Sequence, residues 1–180
     1  GLDGSYSEKA LIGRLNSDLA NDLGNLLHRS LTMIEKYFQG SIPQPGAVQD
    51  FDQHLVCQTK ELPQKYFQAM DNIEFGQALD AIWILINTAN KYIEDSQPWR
   101  LSKEHNTERL SRIVYNLAEV LRLVAILVYP FIPATSLKML GQLGLKEDLN
   151  QQLFEQLVKF PGYPLGTAIK KGQPLFPRII

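Results

Sequence analysis

The chain has 180 residues, 44% of them apolar, and 18 basic against 19 acidic side chains give a formal net charge of −1. That length supports one domain with a sizeable core, and the charge balance excludes a protein that grips a polyanion by bulk electrostatics. Any nucleic-acid contact must then be local and selective.

The N-terminus, Gly1-Leu2-Asp3-Gly4, shows neither a starting methionine nor a basic-then-apolar leader, so no secretory signal is expected and an excised fragment is an option. Helical periodicity recurs along the whole chain, and strand-like alternation is nearly absent. A short opening helix is predicted over residues 7–15. An Asn16-Ser17 cap then begins a long helix running to about Phe38. Leu19, Leu23, Leu26, Leu27 and Ile34 form its apolar stripe, leaving Asn21, Asn25 and Arg29 beside or opposite it. Gly40, Pro43, Pro45 and Gly46 make a loop, because they break helices and set turns. Asp50 is the expected cap of the next helix, which Pro63 interrupts or restarts.

From residue 73 to about 94 the spacing of Phe75, Leu79, Ile82, Trp83, Ile86, Ala89, Asn90 and Ile93 predicts a core-facing helix, with Trp83 inside the core. Asn106 or Thr107 caps a helix over 108–129, and a short helix follows over 134–143. Residues 121–131 are the strongest membrane candidate. The stretch is too short to span a bilayer, has Arg122 near its start and ends at Pro130 and Pro133, so it reads as a core helix. Residues 151–159 suggest one more short helix, after which prolines and glycines make an irregular tail that needs docking to be ordered. The expected fold is all-α: an antiparallel bundle of five to six helices over residues 1–159 with a C-terminal arm over 160–180.

Catalytic constellations are mostly missing. His28, His54 and His105 are scattered, and His54 with Cys57 supplies two ligands where zinc needs three or four, so no metal site is expected. Cys57 is the only cysteine, which excludes an intramolecular disulfide framework, fits a reducing compartment and leaves it as a free structural thiol. Neither a phosphate-cradling glycine loop nor a nucleophile elbow occurs. The acidic pairs Asp18 and Asp22, and Glu94 and Asp95, read as solvated or capping groups.

What stands out is polar. Asn21, Asn25 and Arg29 advance about 40° and about 6 Å per step along an α-helix, forming a slanted ladder on one face. Two carboxamides and a guanidinium suit the edge of a nucleobase, and the indole of Trp99, fixed by Pro98, suits its flat face. On residues alone the plainer readings stay open: Arg29 solvated or salt-bridged, Asn25 capping or bridging helices, Trp99 a buried anchor. Lys91, Arg100 and Lys103 are possible phosphate contacts, although solvated charge is the plainer reading, and His28 has no assigned role.

The stretch from Tyr6 to Arg29, containing Asn21-Asp22-Leu23-Gly24-Asn25-Leu26, resembles the helix that follows the catalytic core in methionyl-tRNA synthetases. The resemblance continues through Ala81-Ile82-Trp83, Ala89-Asn90-Lys91-Tyr92-Ile93, Gln97-Pro98-Trp99, Pro130-Phe131-Ile132-Pro133 and Pro174-Leu175-Phe176-Pro177-Arg178-Ile179, and so spans essentially the entire chain. It implies the C-terminal anticodon-binding domain of a class I synthetase. The expected partner is the CAU anticodon loop of methionine tRNA, read by Asn21, Asn25, Arg29, Pro98 and Trp99. It also implies a catalytic domain in the same polypeptide, on which the arm over 160–180 would dock. ATP with Mg belongs to that parent enzyme, whose His-Ile-Gly-His-type and Lys-Met-Ser-Lys-Ser-type signatures do not occur here. No catalytic residue and no cofactor are expected in this domain, which should not aminoacylate alone. A cytoplasmic setting, or an organelle in a eukaryote, is expected, with neither membrane nor DNA as partner. Three rivals are a helical protein-interaction scaffold with Trp99 as hot spot, the anticodon domain of another class I synthetase, and, weakest, a helical-bundle enzyme.

Overall fold

The computed structural model describes residues 7–146, 149 and 158–179. Helix α1 (Glu8–Arg14) starts where the Ser7 hydroxyl accepts the Ala10 N–H at 3.3 Å. It passes without a break into a π-helical segment (Leu15–Gly24) and then into α2 (Asn25–Phe38). The expected cap at Asn16-Ser17 is therefore wrong. Arg14 and Leu15 keep helical dihedrals, and the Asn16 amide is engaged elsewhere, donating to the Ile179 carbonyl and accepting the Ile179 N–H. Gln39, in the left-handed region at φ 53°, ends α2.

Helix α3 (Asp50–Asp71) corrects two further expectations. Asp50 is the first helical residue rather than the cap; the cap is Gln49, whose N–H donates to the Asp52 carboxylate at 2.8 Å. Pro63 neither interrupts nor restarts the helix. A proline inside a helix costs about 3 kcal/mol, and here Leu62 and Tyr66, buried on either side of it, hold the helix in the core.

Helix α4 (Phe75–Ser96) follows, then a six-residue α5 (Pro98–Lys103), α6 (Thr107–Leu127) and α7 (Pro133–Gln142). Asn106 is the cap of α6, its side chain accepting the Arg109 N–H. Counting the first three pieces as one rod, the described residues form six helical rods, an all-α bundle within the expected five to six. The helix predicted over 151–159 lies almost wholly outside the described residues.

From Leu110 to Leu127 every residue of helix α6 except the half-buried Arg112 is buried, as the apolar run over 123–128 leads one to expect. It also carries charge into the core, and a buried charge must be paired. Near its N-terminus, Arg109 makes a two-pronged contact with the fully buried Asp52 of α3, both bonds 2.7 Å. The Tyr92 hydroxyl of α4 donates to the same carboxylate at 2.5 Å, and Asn116 donates to Tyr92. Three helices thus meet at one carboxylate. Further along α6, Glu119 accepts from Arg122, from Tyr115 and from the backbone N–H groups of Gly162 and Tyr163. Those last two bonds seat the C-terminal arm on the bundle. A Cβ at Gly162 would lie 2.6 Å from the Arg122 guanidinium, so only glycine fits there. The arm then exchanges backbone bonds with the 39–49 loop, from Ile42 to Thr167 and from Ile169 to Gly40.

Burial alone pushes the Asp52 carboxyl upward, but the Arg109 fork, the Gln49 N–H and the Tyr92 hydroxyl outweigh it and hold it below its ordinary value. A carboxyl depressed in the folded state stabilises fully above its unfolded value near ~3.9, and that contribution is lost as pH falls through the folded value. Replacing Arg109 by Leu leaves the carboxylate uncompensated and should cost about 3–5 kcal/mol in urea unfolding at pH 7. In Asp52→Asn the acid-side decline in melting temperature below about pH 4 should become shallower than in the unmodified chain.

Candidate functional site

Helix α4 ends at Gln97, which takes the left-handed conformation at φ 45° while its N–H returns to the Ile93 carbonyl. Pro98 then opens α5 at a position where its missing N–H costs nothing, and it is buried. This turn leaves the next residue, Trp99, 43% exposed. The sequence treats the Gln97-Pro98-Trp99 stretch as a helix end and does not reveal α5, because six residues are too few to show a period.

The Trp99 indole lines a hollow of about 220 Å³ together with His28, Arg29, Thr32, Met33, Tyr37 and Ile93. Two distant stretches of chain therefore do meet, with the aromatic plate and the Arg29 guanidinium in one notch. Arg29 is not free there: Glu94, on the turn of α4 before Trp99, pairs with it at 2.6 Å. The plain salt-bridge reading of Arg29 is what the structure shows.

The two asparagines open elsewhere. Asn21 and Asn25 line a neighbouring hollow of about 550 Å³ with Ala20, Gly24, His28 and, from the arm, Pro174, Phe176 and Arg178. The residue-only ladder assumed an α-helical step throughout. Residues 15–24 instead form a π-helix, whose wider turn changes the phase between Asn21 and Asn25. His28, given no role from the sequence, is common to both hollows. The Asn25 amide is exposed and makes no hydrogen bond among the described residues. Asn21 accepts from Arg178 at 2.8 Å.

Sequence reasoning missed Glu94 and the arm residues Phe176 and Arg178 as neighbours of this site. No local signal brings residue 178 beside residue 21. Of the other candidates, Arg100 is paired with Glu104, and Lys91 and Lys103 are exposed. His54 and Cys57 both sit on the exposed side of α3, so Cys57 does not pack as a structural thiol.

A further hollow, about 850 Å³, lies between the π-helical segment, the start of α4 and residues 128–132. Trp83 packs against the core, as its place in the helical stripe predicts, but it is only partly buried and also forms part of the hollow's apolar wall. Asp18, Asp22 and Asp80 border it, and burial together with Asp18 raises the Asp22 carboxyl. Three carboxylates are poorly suited to phosphate. No described helix is long and apolar enough to cross a membrane.

The family model for the anticodon binding domain of methionyl tRNA ligase matches residues 42–180. The methionine–tRNA ligase of Caldanaerobacter subterraneus subsp. tengcongensis is 50% identical over 180 residues, covering 99% of this chain and 28% of that protein. Its Bacillus subtilis counterpart is 42% identical over 181 residues, covering 99% of this chain and 27% of that protein. The apo methionyl-tRNA synthetase of Mycobacterium tuberculosis superposes with a TM-score of 0.91 at 37% identity, covering 100% of this chain and 36% of that one. These similarities put the chain among the domains of aminoacyl-tRNA synthetases. It belongs to the family of anticodon-binding domains of methionyl-tRNA ligases, and it spans about 28% of the length of the curated relatives it matches.

Gly24 brings the arm to the site. A Cβ there would lie 2.9 Å from the Leu19 carbonyl oxygen and 3.3 Å from the Phe176 ring. Glycine-to-alanine inside an ordinary helix stabilises by about 1 kcal/mol. Gly24→Ala should instead destabilise, by about 1–3 kcal/mol, because backbone and ring must both move. Thermal unfolding gives the sign, and faster proteolytic clipping of residues 174–179 would locate the effect.

Proposed function

We propose that the chain reads the CAU anticodon loop of methionine tRNA, with Trp99 as the stacking plate and with Arg29 in the same hollow and Asn25 from the adjoining one, across His28, as readers of the first base. The observation that carries this reading is the shared hollow: a half-exposed indole and a guanidinium from separate helices face one notch. Unpaired RNA is read in this way, with bases splayed onto aromatic rings and hydrogen-bonded along their pairing edges. Cytosine presents an amino donor beside acceptors, whereas uracil reverses the donor. A site whose polar groups match cytosine leaves them unpaired against uracil, which supplies the selectivity. Pro98 serves by fixing the turn that exposes Trp99. Glu94 holds the Arg29 side chain extended until a base takes its place or shares it.

Methionylation of the tRNA, and the ATP with Mg that it requires, belong on this reading to a catalytic portion outside these 180 residues. The arm over 160–180 would meet that portion with its outward side, where Leu165 and Ile179 are left about half exposed. A role in translation fits a cytoplasmic setting, or an organelle in a eukaryote.

Titration of the chain with a CAU stem-loop should quench tryptophan fluorescence, and Trp99→Ala should weaken binding by about 1–3 kcal/mol. Asn25→Ala should narrow the preference for a loop beginning with cytosine over one beginning with uracil. Equal binding of both loops by the unmodified chain would overturn the edge-reading assignment.

A further inference from the structure

The second hollow holds a feature that base reading by Asn25 and Arg29 leaves unused. Arg178 lies on the arm between two anchored residues. On one side the Phe176 ring rests against Gly24; on the other, both the N–H and the carbonyl of Ile179 are bonded to the Asn16 amide, at 2.9 and 2.8 Å. The Arg178 guanidinium itself donates to the Asn21 Oδ1 at 2.8 Å. It is thus held at both ends of its backbone and at its tip.

Its charge is not cancelled. Arg14, Arg29, Arg100, Arg109 and Arg122 each pair with a carboxylate and Arg112 donates to the Gly46 carbonyl inside the fold, while Arg178, on the exposed arm, meets only a neutral side-chain amide, and no described carboxylate lies within ion-pairing distance of it. A side chain oriented by an amide keeps its full charge and several unused N–H donors, the arrangement that suits a phosphate oxygen. Stacking has no obvious seat here, since the Phe176 ring is already committed to Gly24. His28 borders this hollow and the Trp99 hollow alike, so a chain with one base against Trp99 would carry its backbone past Arg178.

We propose that Arg178 binds a phosphodiester of the unpaired RNA strand and that Asn21 is its positioning residue rather than a reader of a base edge. The inference rests on the anticodon-loop reading and reassigns one of its residues. Phosphate contacts set register and affinity without carrying sequence, whereas base contacts carry sequence, so the two roles have different signatures.

The experiment is a set of titrations of the 180-residue chain with CAU stem-loops and with loops altered at each anticodon position, repeated over a range of salt concentrations. Arg178→Gln should weaken all loops alike, about three- to ten-fold, and reduce the slope of log K against log salt by about 0.7, the value for one phosphate on a single strand. Arg178→Lys, which keeps the charge and loses the fork, should restore the slope and only part of the affinity. Asn21→Ala should weaken binding less, leave base preferences unchanged, and add nothing in the Arg178→Gln background.

An unchanged slope and affinity in Arg178→Gln would overturn the proposal and leave the residue as a clasp for the arm. A base preference altered by Arg178→Gln, or by Asn21→Ala, would overturn it in favour of edge reading. Loss of affinity with the slope retained in Arg178→Gln, together with a lowered melting temperature, would also overturn it, since displacement of the arm would then be the cause. Failure of the anticodon reading shows separately, in the unmodified chain, as equal binding of cytosine- and uracil-first loops.

Discussion

The structure depends on placing charge in a core that has no room for it unpaired. Helix α6 lacks a solvent face over most of its length, yet it carries Arg109, Glu119 and Arg122 inward. Each charge must find a partner from another element or from its own next turn, and those partners define where the other elements go. Asp52 brings α3, and Tyr92 brings the C-terminal half of α4, to the start of α6. Glu119 brings the arm to its middle through two backbone N–H groups. Non-directional burial would allow the helices to slide past one another, whereas a carboxylate with four hydrogen-bond partners does not.

The site inherits both placements. Tyr92 sits two residues before Glu94 and seven before Trp99, so the Asp52 cluster anchors the end of α4 from which the indole is presented. The arm, seated at Gly162 and Tyr163, runs on to lay Phe176 and Arg178 against the first rod. One hollow takes its polar and aromatic lining from helices, the other partly from the arm. The π-helical segment leads into the hollow that Asn21 and Asn25 share with the arm. Helical irregularities of this kind are common at functional sites, where a side chain must be aimed off the regular period.

Much of the bundle was legible because apolar period and buried face are the same fact. The unbroken run at residues 123–128 marked a helix surrounded by others, and it is. Local signals misled where a side chain had a distant use for its polar atoms. Asn16 looks like a cap because its amide suits one, but the amide is taken by Ile179. Pro63 looks like a break, and neighbouring burial outweighs its lost hydrogen bond. Trp83 looked like core, and it packs against the core while also walling a groove. The convergence of Trp99 with Arg29 came from resemblance of separated motifs, not from spacing; a salt bridge was the plain alternative for Arg29, but its partner Glu94 was not legible.

Composition, periodicity and ordered motifs by themselves determined an all-α chain and its long helices, and singled out the candidate side chains. These follow from local energetics: propensity, capping and the apolar stripe act within a few turns of one helix. Tertiary structure alone decided that Arg29 and Trp99 share a hollow, that Asn21 and Asn25 open onto another, and that Arg178 joins them. Those outcomes rest on contacts between residues up to 163 positions apart, whose geometry is set by buried charge pairing and by the π-helical segment. Neither leaves a periodic trace in the order of the amino acids.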